Sequence, residues 1–311
     1  MAKPKILMIV GFDWANAAYK MYEAINEFGD VASIRLWTRW PFKAQGKRKG
    51  YKYDMKGNEQ LAEAKNLVKE ADVIHFIDRA HPALSKSPLP ALAPPDKKAI
   101  VSLNTSAWYS VGPGRVKKLY GKIKNRNQNC LITTLTASMP LQAIPFKYTP
   151  QPIDTRKIGF REKVFSREKL VVGHMPFSGR FGKKGTREIQ EALKRYEKAE
   201  LRITTGASQE EAIARKRKLD VLIDQLVLGA YGYNALEAAC IGIPVMCHLK
   251  EDCWPLINCR RDGTDIPQKL DWLQDRAKRK TVGKKTRRWV EETHGYPVIG
   301  KMWSEIYRDF C

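Results

Sequence analysis

The chain has 311 residues, 43% of them hydrophobic, and carries 56 Lys and Arg against 33 Asp and Glu, a formal net charge of +23. That length holds two domains with separate cores, and the apolar content excludes a chain dominated by disorder. No apolar run approaches the ~20 residues of a membrane-spanning helix, and the opening MAKPKILMIVGF reads as a strand without a signal-peptide cleavage pattern, so a cytoplasmic protein is expected.

Lys5 to Val10 is a continuous apolar strand turned by Gly11, and Ala17 to Phe28 has helical spacing with Ala18, Met21, Tyr22 and Ile25 inward. Together they open a Rossmann-like domain. Val31 to Leu36 reads as a second strand, and Trp37 to Tyr53, aromatic, basic and glycine-containing, as a functional loop. Glu59 to Glu70 is expected to be helical, Val73 to Ile77 a buried strand, and Pro82 to Pro95, with five prolines, an irregular connection. Ile100 to Leu103 and Cys130 to Thr134 are strand-like, with a basic helix, Val116 to Ile123, between them. In the second half, strands at Leu170 to Gly173, Glu200 to Thr204 and Val221 to Ile223 alternate with helices at Thr186 to Lys198 and Ser208 to Lys216, the pattern of a second parallel sheet. Further helices are expected at Gln268 to Arg279, Lys284 to Glu292 and Lys301 to Phe310.

Six cysteines stand at no disulfide-framework spacing, so reduced thiols are expected. Cys247, His248, Cys253 and Cys259 cluster, but their gaps are wider than those of zinc knuckles, and no metal site is expected. The positive charge is gathered into runs. Lys43 to Lys56 has six basic residues with Asp54 as the sole acid, Arg115 to Arg126 has six with none, and Arg276 to Arg288 has eight with none. A solvated face mixes signs; such runs suit a polyanion, whether nucleic acid, anionic membrane or small phosphorylated substrates.

The most informative stretch is Tyr231 to Val245, YGYNALEAACIGIPV, preceded by the buried-strand run Val221 to Ile223. Gly232 lets a ligand approach the backbone, Asn234 is placed to cap a helix Ala235 to Cys240, and a helix N-terminus attracts anions. Gly242 ends the helix, Pro244 follows, and Ile243 to Cys247 resumes the strand pattern. On the residues alone, phosphate binding and plain architecture both remain open.

Gly232, Glu237, Ala238, Gly242, Pro244 and Val245 fill the pattern GxxxxEAxxxGxPV, which resembles the donor-site signature of retaining family 4 glycosyltransferases. A second block, His174-Met-Pro-Phe-Ser-Gly-Arg180 followed by Lys184-Gly185-Thr186, resembles the H-x-P-S-x-R-x-x-K-G-T segment of the same family, with one extra residue before the arginine. The likeness covers Ile153 to about Leu249 well and the acceptor side hardly at all. It implies an α/β GT-B fold, two facing Rossmann-like domains with a cleft between them. Pro150 to Asp154 resembles the segment that closes the first domain, which implies domains at 1–155 and 156–299 and a helix, 300–311, returning to the first.

The resemblance further implies a nucleotide-sugar donor, most simply a UDP-sugar, with no other cofactor. Arg180 and Lys184 would neutralise the donor diphosphate, together with the amides of Tyr233, Asn234 and Ala235, while Ser178 and His174 shape that loop and Gly11 approaches the donor phosphate. Glu237 would accept hydrogen bonds from the ribose. No Asp-x-Asp motif offers a metal clamp. Where the family has a glutamate eight positions before Glu237 this chain has Gly229, and where it has a catalytic histidine after a strand this chain has Ile77 within His75-Phe-Ile-Asp-Arg-Ala-His81, leaving Asp78 or His81 as the catalytic candidates.

For the acceptor, DNA carrying a hydroxylated base is the leading expectation, as in viral DNA-modifying glycosyltransferases. Lys47, Arg48, Lys49, Arg115, Lys117 and Lys118 would meet phosphates, and Trp37, Trp40, Phe42, Tyr51, Tyr53, Trp108 and Tyr109 offer rings for an extruded base. A peripheral enzyme acting on a lipid-linked or cell-surface glycan at a membrane surface, and a non-catalytic nucleic-acid-binding protein on the same scaffold, are the alternatives. No obligate protein partner is implied.

Overall fold

The computed structural model describes residues 2–11, 16–38, 55–56, 60–77, 80–84, 93–103, 113–134, 144–176, 184–250 and 255–311. The chain divides into two units, residues 1–152 with 294–311, and residues 153–293. Asp78, Ser178, Arg180, Lys47, Arg48, Lys49, Cys253 and the aromatics Trp40, Phe42, Tyr51, Tyr53, Trp108 and Tyr109 lie outside the described residues.

The first unit carries β1 (Lys5–Val10), α1 (Ala17–Phe28), β2 (Ser33–Thr38), β3 (Met55–Lys56), α2 (Leu61–Glu70), β4 (Val73–Ile77), β5 (Lys98–Leu103), α3 (Pro113–Arg126), β6 (Cys130–Thr134) and β7 (Lys147–Tyr148). Its seven strands form one sheet in the order β3-β2-β1-β4-β5-β6-β7, every pairing parallel. β1 and β4 are apolar along nearly their whole length because central parallel strands are covered on both faces. Trp37 belongs to this core at 1% exposure, which corrects its expected place among base-stacking rings.

The second unit carries β8 (Leu170–His174), α4 (Thr186–Leu193), β9 (Ala199–Ile203), α5 (Gln209–Lys216), β10 (Val221–Ile223), α6 (Tyr233–Ile241), β11 (Val245–Cys247), β12 (Ile257–Asn258), α7 (Ile266–Leu273) and α8 (Arg276–His294), whose final residue already belongs to the first unit. The sheet order is β12-β11-β10-β8-β9, again parallel throughout, with one apolar cluster on each face. The expected helix Gln268 to Arg279 is in fact two. Asp275 Oδ1 accepts from the amides of Ala277 and Lys278 at 2.7 and 3.3 Å and starts α8 afresh.

α9 (Tyr296–Phe310) returns to the first unit, beginning earlier than the expected residue 300. It packs on α1, where Gly300 is needed: a Cβ there would stand 2.4 Å from the Ala24 carbonyl oxygen. Trp303 and Tyr307 of α9 press on the ring of buried His75, whose Nδ1 meets the Tyr307 hydroxyl at 2.8 Å and whose Nε2 meets Ser102 Oγ at 2.6 Å. Burial pushes the His75 pKa down to about 3, so the ring is neutral at the heart of the unit. Among the described residues no helix is long and apolar enough to cross a membrane, and none of the described cysteines forms a disulfide.

Candidate active site

In an open parallel sheet, ligands bind beyond the carboxyl ends of the strands where the winding reverses. In the second unit that point lies between β8 and β10, because the chain leaves β8 toward β9 on one side and β10 toward β11 on the other. Both blocks singled out from the sequence begin here.

α6 starts at Gly232, an N-cap with extended backbone (φ −125°, ψ −173°) and no side chain of its own to cap the helix. The first helical bond is Leu236 N to Gly232 O at 3.2 Å, so the amides of Asn234 and Ala235 lie ahead of it, at the positive end of the helix. Lys184 stands beside this end. Its Nζ is 3.6 Å from where a Gly232 Cβ would be, within ordinary contact distance. Asp224, directly after β10, fixes both groups: Oδ1 accepts from Lys184 Nζ at 2.9 Å and Oδ2 from the Gly232 amide at 2.8 Å. One of the three Lys184 donors is thereby used to aim the side chain, which stays 18% exposed while the Asp224 side chain is fully buried.

His174 ends β8 inside the protein. Its Nδ1–H donates to the Ile223 carbonyl at 2.8 Å, which leaves Nε2 to accept from the Thr186 hydroxyl at 2.9 Å. Burial lowers its pKa, so a neutral imidazole ties β8, β10 and the start of α4 together and fixes where the segment between them departs and returns.

Asn234 does not cap the helix as expected; Gly232 is the N-cap and Asn234 lies in the first turn. Its Nδ2 donates to the Met175 carbonyl at 2.8 Å, and its Oδ1 accepts from Lys216 Nζ at 2.9 Å. Lys216, fully buried, also meets Glu237 Oε2 at 2.6 Å, and Gln209 Nε2 donates to Glu237 Oε1 at 3.0 Å. Gln209 and Lys216 sit seven residues apart on α5, two turns along one face, so a single helix supplies both partners. Glu237 is therefore aligned by two donors and only 5% exposed. Lys216, Gln209, Asp224 and Thr186 were missed by sequence reasoning; the spacing of seven and the aspartate closing VLID were the available signals.

Gly229, where a sugar-contacting glutamate was expected, adopts φ +70° and lies against the stem of Lys250. In the first unit, Gly11 follows β1 at the reversal between β1 and β4, 3.9 Å in Cβ terms from the Ala80 amide. His81 is buried with both ring nitrogens engaged: Nδ1 accepts from the Ala83 amide at 3.2 Å, and Nε2–H donates to Asn127 Oδ1 at 2.9 Å. Burial lowers its pKa to about 4. Both ring nitrogens thus brace the turn that follows β4. Arg115, Lys117 and Lys118 are exposed on α3. Among the described residues no group of three or more His, Cys, Asp or Glu gathers where it could hold a metal ion.

No family model matches the chain, and no curated protein matches it in sequence. Solved structures do. An α-glucosyltransferase in complex with UDP and a 13-mer DNA containing an HMU base aligns over 100% of both chains at 10% identity, TM-score 0.70. HepE of Anabaena, in complex with UDP and glucose, aligns over 98% of this chain and 100% of its own at 12% identity, TM-score 0.68. Sucrose-phosphate synthase of Thermosynechococcus elongatus aligns over 99% of both at 12% identity, TM-score 0.67. The fold is α/β, of the GT-B class, with a Rossmann-like parallel sheet in each unit.

Proposed function

We propose that the chain is a glycosyltransferase that moves a sugar from UDP to a hydroxyl on a modified base in DNA, with retention of configuration and without a metal ion. The observation that carries the reading is the start of α6 beside Lys184, both held in place by Asp224. A diphosphate there would meet backbone N–H groups, the positive end of the helix and an ammonium already aimed by Asp224. Donors fixed in advance stabilise the charge that grows on the departing UDP without reorganising as the bond breaks.

Glu237 is the group proposed to accept from the ribose hydroxyls, using lone pairs left beside Lys216 and Gln209. Ser178 and Arg180 would complete the diphosphate cradle, Gly11 would approach the donor phosphate, and Asp78 remains the candidate acid or base on the acceptor side. In a retaining transfer the leaving diphosphate itself helps to take the proton from the attacking hydroxyl. UDP-binding and DNA-bound structural neighbours support donor and acceptor alike, and the basic runs support a polyanionic acceptor.

The test is direct. Titrate UDP calorimetrically into the chain and into Lys184→Gln, then incubate the chain with UDP-sugars and, separately, hydroxymethylated DNA, ordinary DNA and lipid-linked glycan, with and without EDTA. Expected are UDP binding weakened ~10–100-fold by the substitution, as for a lost hydrogen bond to a charged group, and an EDTA-resistant mass gain on the hydroxymethylated DNA. UDP binding that ignores Lys184, or transfer confined to the lipid-linked acceptor, overturns the reading.

A further inference from the structure

α8 carries eight basic residues between Arg276 and Arg288 and no acid in that span. The structure separates those that hold the fold from those that do not. The Arg279 guanidinium is buried and donates to the carbonyls of Leu273, Gln274 and Phe165. Arg287 donates to the carbonyls of Ile158, Cys240 and Thr155 and pairs with Glu291. Lys278 lies over the ring of Trp272, 5.3 Å from its centroid. These three clamp the helix to its unit.

Arg276, Lys280, Lys284 and Arg288 do none of this. All four are exposed, and no ion pair among the described residues engages them. They recur every fourth residue, so they form one ridge about 18 Å long over three turns. Like charges at that spacing weaken a helix, and folding alone gives no reason to repeat them. The same face offers no large apolar side chain that would enter a lipid surface; Trp272, 45% exposed, sits beyond the start of the helix beneath Lys278.

We infer that the Arg276–Lys280–Lys284–Arg288 ridge is a phosphate-backbone grip for nucleic acid, separate from the donor site. About 18 Å matches roughly five base steps at ~3.4 Å each, so four cations can each reach a phosphate. The grip reads no sequence; it holds the duplex near the enzyme while a base is presented for transfer. In purpose it rests on the reading that the acceptor is DNA, but its geometry stands on α8 alone.

The experiment measures binding of the full chain to a fluorescent 30-base-pair duplex, without nucleotide sugar, across a salt series. A ridge variant (R276Q, K280Q, K284Q, R288Q) is compared with an equal-charge control on the same unit (K163Q, K169Q, K194Q, R195Q). With ~0.9 counterions released per phosphate, the ridge variant should lower the slope of log K against log salt by ~3–4, while the control changes it by less than ~1. Between 50 and 200 mM salt that difference amounts to about 100-fold in affinity. Equal losses in both variants, meaning net charge only, overturn the inference, as does a ridge variant that loses binding to phosphatidylserine vesicles while retaining its DNA slope. UDP calorimetry on the same samples separates the two readings: a chain that grips DNA through the ridge yet takes no UDP sinks the donor site and leaves the grip standing.

Discussion

Replacing Lys216 with methionine tests the arrangement around Glu237 most sharply. The lysine ammonium is fully buried and gives one hydrogen bond each to Glu237 and Asn234. Methionine keeps the length of the stem and removes the charge, so the Glu237 carboxylate is left in the interior with Gln209 as its remaining described partner. Breaking one side of a buried pair costs about 3–5 kcal/mol. For a unit of this order of size that lowers the melting temperature of residues 153–293 by roughly 6–20 °C. The assay is differential scanning calorimetry of K216M, Glu237→Leu and the double variant. The double variant should recover much of the loss, with a coupling of at least ~2 kcal/mol, because an apolar pair leaves no stranded charge. UDP affinity of K216M should fall as well, since Asn234 and Glu237 lose their common anchor. A melting temperature within 2 °C of the parent, or strictly additive single variants, would refute the reasoning.

Three further outcomes are expected. His75, His81 and His294 are pushed by burial to about 3, 4 and 4, below the ordinary histidine value, so the fold keeps them neutral while the unfolded chain protonates them near 6.5. Their contribution is complete above pH 6.5 and is lost as pH falls toward the folded values, at ~1.4 kcal/mol per pH unit for each histidine; urea midpoints at pH 7, 6 and 5 that do not move would contradict it. Gly242→Ala should destabilise the second unit by about 2–4 kcal/mol, because φ there is +82° and a Cβ would come 2.2 Å from the Phe160 ring; a denaturation midpoint equal to the parent's is the adverse result. Thr186→Val, which keeps the shape but strips the hydroxyl from His174 Nε2, should cost about 1–3 kcal/mol and weaken UDP binding in calorimetry. Unchanged values on both counts would free His174 of its assigned duty.

Much of the fold was legible because parallel sheets write themselves as short apolar runs. Lys5 to Val10, Val73 to Ile77, Cys130 to Thr134 and Val221 to Ile223 agree with the structure residue for residue. Errors fell where a boundary depends on one side chain rather than on periodicity. Asp275 ends one helix and begins another inside a pattern that reads as continuous, and Gly232 rather than Asn234 opens α6. Lys184, Gly232 and Gly242 were readable because their identities are demanded locally. Lys216 was not, since a lysine on an amphipathic helix reads as solvent-facing until the partner helix is in place.

The order in which a ribosome delivers these elements now matters. Tyr296–Phe310 is made after the whole of 153–293, yet it covers α1 and the His75 ring in the unit that begins the chain. The later-born unit is therefore complete in the chain before the covering helix is made, while the earlier one waits with α1 and the His75 ring uncovered. Shortening the chain from its far end would injure the half that was translated first.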